Sequence, residues 1–307
     1  MLIAARKMLP PRKAAKAADS GSNPLRPSQI FSWHSSRLRT RWRGMGHIRL
    51  GDPPATRKWR EVVALLDEHD IPIADVTRGV ERACDKSLAQ AVNDPAFVEA
   101  LWLLLKIPLA SREDDFQSAL AMLGLKTPPE PTLTDILAGF VDAIERARRR
   151  GGREVTDFSL IARNAAISAL QSLTFERAPS LWRPTVEDER TTIATFASTE
   201  RFGELAQRFF TNLLQGHIQY FLDREIPRHI GTGGMIRSVA DTSYFEGAVH
   251  RHCQETTLIM RAFANDWLGK NRFHLGKDLT REDAAGFAAF AFTKVRRELS
   301  NRSGLSH

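Results

Sequence analysis

"TERFGELAQRFFTNLLQGHIQYFLDREI", residues 199–226, decides how the chain is read. Phe202, Leu205, Phe209 and Leu213 fall three or four positions apart and form one row. Ala206, Phe210, Leu214 and Phe221 widen that row into a broad arc. This is the period of an α-helix that buries one face. His217 lies on the same face, one turn from Leu213 and Phe221, and reads as a core histidine. A general base there would need a nucleophile beside it, and the sequence places none.

Working outward, "PRHIGTGG" at 227–234 ends this helix, and further helices are expected over roughly 242–268 and from Thr280 to about Leu299. Upstream, Thr185 opens a short helix with Glu187, Asp188 and Glu189 in its first turn, and another helix is expected over about Thr156–Leu173. Before those, helices are expected after Thr56, near Ala74, from Asp94 with Pro95 at the first helical position, from a Ser111/Asp114 capping box, and from Thr132/Asp135. "KTPPEP" at 126–131 reads as a stiff linker. No alternating run makes a convincing strand. The expected fold is all-α: two packed helical bundles of nine or ten helices, over 48–150 and 154–301, divided near "RRRGGRE". An irregular basic segment, 1–47, precedes them.

That segment explains the charge. The chain of 307 residues is +8 overall, but residues 1–50 hold eleven Arg and Lys against Asp19 alone. The remainder is therefore close to neutral, at −2. Rich in Pro, Ser and Arg, the segment offers no core. It can be a basic tail for nucleic acid, a transit-like peptide, or an extension upstream of a start at Met45. The longest apolar stretch, "ALWLLLKIPLA" at 100–110, is interrupted by Lys106 and Pro108 and is too short to span a membrane. Two cysteines in helical patterns, Cys84 and Cys253, suit a reducing, cytoplasmic setting rather than a disulfide framework.

Chemistry concentrates in "HRHCQE", residues 250–255. Glu246, His250 and Cys253 are spaced by four and three, so one helix side can present three ligands to a metal ion such as zinc. The fourth ligand has no evident source, and Cys253 shares a stripe with Met260 and Trp267, as a core residue would. "GTGG" at 231–234 lacks the strand and the Gly-Lys-Ser/Thr ending of a P-loop and reads as a connector. Arg146, Arg148, Arg149 and Arg150 crowd a helix C-terminus, where cations complement the dipole, and they are the candidate phosphate contacts, together with Arg57, Lys58 and Arg60. In the last helix the apolar positions cover an arc of roughly 220°. Such a helix is sandwiched on both flanks or offers Phe287, Phe290 and Phe292 to a partner; burial on both flanks is the expectation. No motif calls for a cofactor, and no catalytic constellation emerges. The function expected is a non-catalytic helical adaptor or scaffold subunit of a bacterial multi-protein system such as antiphage defence, binding a protein partner. The alternatives are a nucleic-acid-binding accessory protein and a metal-dependent enzyme centred on Glu246, His250 and Cys253.

Overall fold

A computed structural model describes residues 47–48, 56–68, 71–91, 94–150, 155–178, 184–231 and 233–304. The expectations for residues 1–46 lie outside them. The fold is all-α, with eleven α-helices among the described residues. In chain order these are α1 (Arg57–Leu66), α2 (Ile73–Ala91), α3 (Pro95–Ala110), α4 (Phe116–Met122), α5 (Leu133–Arg150), α6 (Asp157–Arg177), α7 (Val186–Thr195), α8 (Thr199–His229), α9 (Val239–Thr256), α10 (Leu258–Leu268) and α11 (Arg281–Gly304). A π-helical turn, Gly269–His274, follows α10. Two two-residue strands, β1 (His47–Ile48) and β2 (Val155–Thr156), pair in parallel, His47 with Val155 and Ile48 with Thr156. That pairing escapes a sequence reading, because two residues cannot show an alternation.

Local chemistry sets most helix starts. Thr56, Asp94, Thr156, Thr185 and Ser198 each accept a hydrogen bond from a first-turn backbone N–H. The Ser111/Asp114 capping box is corrected: Asp115 caps α4 through Ser118 N at 2.9 Å, and the Ser111 hydroxyl donates to Ile107 O at the end of α3. The chain after α3 needs four more residues to turn, so the cap falls later. The helix expected over 242–268 is divided at Thr257. Its hydroxyl, fully buried, lies 2.7 Å from that of Thr211 on α8 and 2.8 Å from Cys253 O. The α9 ladder stops there, and α10 starts again at Leu258.

The stretches 48–150 and 154–301 share one continuous core running from Trp59 to Leu299. At its centre is α3, apolar all round and buried on nearly every side, as such helices must be. It packs against α4, α5, α6, α7 and α11. The buried Glu99 on α3 holds Arg281 through two hydrogen bonds, 2.5 and 2.7 Å, with the guanidinium 3.6 Å above the Trp102 ring. Trp102 Nε1 donates to Leu279 O. These contacts fix the start of α11. Downstream, Phe287 meets Phe202, Phe210, Phe263 and Trp267, while Phe292 meets Phe97 and Phe210. The expected burial of α11 holds at Phe287, Phe292 and Leu299, but not at Phe290, which was expected on the same flank as Phe287. As partner anchors, Phe287 (0% exposed) and Phe292 (3%) are therefore corrected, while Phe290 stands 67% exposed.

Candidate functional site

One turn of α9 distributes its chemistry into three surroundings. His250 Nδ1 donates to Gln215 Oε1 on α8 at 2.7 Å. Cys253 points into the core at 0% exposure, and burial, reinforced by the charge of Glu81, pushes its thiol well above the ordinary range. It is held as a neutral, free thiol. His252 turns to the opposite side from His250, toward α2, where its Nε2 donates to Glu81 Oε1 at 3.2 Å; both side chains are buried. Glu246 is exposed, and its charge adds to burial in raising Asp223 on α8. The candidate metal set of Glu246, His250 and Cys253 is thus not brought together. The three share one side of α9, but the packing there draws Cys253 into the core and His250 to Gln215 and leaves Glu246 in solvent. Among the described residues no group of three or more His, Cys, Asp or Glu is placed to hold a metal ion.

His252 forms part of the wall of a cleft of about 510 Å³ between α2, α9 and the segment leading into α9. That volume falls within the roughly 300–1,000 Å³ of ligand sites. Ile71, Ile73, Met235, Ile236 and Phe245 give apolar walls. Asp241, Arg251 and Glu255 add charge, and Tyr244 stands at the rim, 69% exposed. Asp241 is also the third residue of α9 and completes its capping box with Ser238, accepting from Arg237 N and Ser238 N at 3.0 and 2.9 Å.

Gly231, Gly233 and Gly234 precede Met235 and Ile236 of the cleft wall. Gly231 and Gly233 take positive φ of 78° and 93°, which glycine tolerates. A Cβ on Gly234 would lie 2.5 Å from Leu66 O, so only glycine lets this segment lie against the end of α1. Met235 N then donates to that same carbonyl, at 3.2 Å. The glycines serve packing.

The remaining sequence candidates fall elsewhere. His217 is buried edge-on to Phe158 and Phe221, as a core histidine. Arg146 donates to Gly124 O and Arg148 to Glu145, while Arg149 and Arg150 are exposed at the end of α5. Arg57, Lys58 and Arg60 lie exposed on α1, Arg57 with Glu61. Sequence reasoning missed Glu81. The available signal was a carboxylate beside the apolar stripe of Val76 and Val80, which demands a partner when buried. That partner, His252, is 171 residues away.

No protein-family model, curated protein or solved structure matches this chain. No helix of the described residues is long and apolar enough to cross a membrane.

Proposed function

We propose that the chain is a non-catalytic helical adaptor, and that the α2–α9 cleft seats a short apolar and basic segment of a protein partner. The observation that carries this reading is the cleft's make-up. Apolar walls stand beneath an exposed tyrosine, with Asp241 and Glu255 in the lining and Glu81 behind His252, against Arg251 as the lining's one permanent cation. Interface anchors are typically aromatic residues beside such pockets. The histidine–carboxylate pair positions the imidazole. The neighbouring Cys253, turned inward with a raised pKa, is unsuited to act as a nucleophile with it. A buried free thiol also suits work in the cytoplasm.

The test is capture of partners from the host by the full chain, run beside Tyr244→Ala and Glu255→Lys. Both variants should lose the captured partner, and Tyr244→Ala, at an exposed position, should keep the wild-type melting temperature. Unchanged capture by both variants would sink the reading. The competing nucleic-acid reading rests on Arg149 and Arg150 at the end of α5. It takes over if salt-dependent retention on heparin is lost in Arg149→Glu/Arg150→Glu and partner capture is untouched.

A further inference from the structure

The opposite side of α9 opens on a second, smaller cleft of about 220 Å³, between α6, α8, α9 and α10. Its lining is mostly polar: Arg177, Arg208, Arg261, His250, Gln207 and Gln254, with Glu176 and Glu204. Three guanidiniums thus face two carboxylates. Just outside, Arg201 adds a fourth guanidinium to Glu204 at 3.1 Å, and Glu200 adds a third carboxylate 3.8 Å from Arg261.

Most of the donor capacity there is unspent. A guanidinium carries five N–H donors. Arg177 uses one terminal nitrogen on Glu204, and its Nε is buried with no hydrogen-bond partner. Arg261 places one nitrogen 2.7 Å from Glu204 Oε1. Arg208 forks onto Glu176 at 2.8 and 3.0 Å and reaches Ser172. The positive field is also felt by His250, whose pKa is lowered first by burial and then by Arg208 and Arg251.

We propose that this cleft binds a tetrahedral oxyanion, a phosphate group, with Arg177 and Arg261 as its principal donors. Planar guanidiniums match phosphate oxygens in pairs, and the cleft is large enough for one such group but small for a drug-sized ligand. Gln207 and Gln254 supply neutral donors. The group arrives either as free phosphate or on a phosphomonoester.

The experiment follows the His250 imidazole by NMR in the full chain, through pH titrations in phosphate and in chloride at equal ionic strength. A neighbouring dianion favours the imidazolium, so the His250 pKa should rise in phosphate. Gln254→Glu places a negative charge at the mouth without touching the ion pairs, and Arg261→Gln removes a donor. Each should weaken phosphate binding about tenfold or more, as expected for a charge change a few ångströms from a dianion. The Gln254→Glu melting temperature in chloride should match wild type. A parallel titration with phosphoserine separates the sources: tighter binding than phosphate marks a monoester site, weaker binding a free-anion site. Superimposable His250 titrations in phosphate and chloride overturn the proposal. So does a phosphate effect that survives in both variants.

Discussion

Asp94 joins two helix starts through one carboxylate. Oδ1 accepts from Ala96 N and Phe97 N at 2.8 and 3.2 Å and caps α3. Oδ2 accepts from Thr156 and Ser159 hydroxyls at 2.7 and 2.9 Å, at the start of α6. Asp94→Ala should cost about 2–3 kcal/mol, one helix cap plus buried hydroxyls left short of an acceptor. Urea unfolding checks this; a loss below about 0.5 kcal/mol would mean that packing alone sets the α3–α6 junction. Exposed caps contribute through pH. Backbone and hydroxyl hydrogen bonds from Thr185 lower the Asp188 pKa. A carboxylate lowered on folding stabilises above its unfolded pKa of about 3.9, and that stabilisation is lost as pH falls through the folded value. Asp188→Asn, which mimics the protonated acid, should therefore be less stable than wild type at pH 7. The gap should close as pH falls below the unfolded value of about 3.9. A gap of constant size would show that ionisation of Asp188 does not matter.

At the scale of elements, α8 and α10 cross at close quarters. A Cβ on Gly203 would come within 2.5 Å of Arg261 O, so glycine permits the approach. This crossing and the Thr257 break aim Phe263 and Trp267 at Phe287 of α11, at centroid distances of 5.2 and 4.9 Å. Phe287→Ala and Phe292→Ala should each cost about 3–5 kcal/mol, as large core truncations do. Phe290→Ala, on the exposed side, should change stability by no more than about 0.5 kcal/mol. Chemical denaturation of the three variants tests the pattern. Equal losses at all three positions would mean that α11 is covered on every side.

The molecule as a whole offers two clefts of opposite character on the two sides of α9, one rimmed by tyrosine with acidic groups, the other lined with guanidiniums. The helix between them is held to α2 by His252 and to α8 by His250. Because one core links Trp59 to Leu299, unfolding should be a single cooperative transition. Far-ultraviolet ellipticity and tryptophan fluorescence, with Trp102 on α3 and Trp267 on α10 as reporters, should give coincident curves. Separate transitions would show that 48–150 and 154–301 unfold independently.

The sequence by itself determined the all-α class and nearly every helix start. Helical period and capping are local: Phe202, Leu205, Phe209 and Leu213 share a face whatever they pack against, and Thr185 meets Asp188 within one turn. The burial of His217, Phe287 and Phe292 was legible for the same reason, while the exposure of Phe290 was not. Tertiary packing decided the rest. The 3.6-residue repeat puts His250, His252 and Cys253 within one turn, but only the surrounding helices assign one to Gln215, one to Glu81 and one to the core. Partners as distant as Glu81 and His252 leave no periodic trace. Their meeting depends on where α2 and α9 settle on the common core, which is set by the summed burial of many side chains.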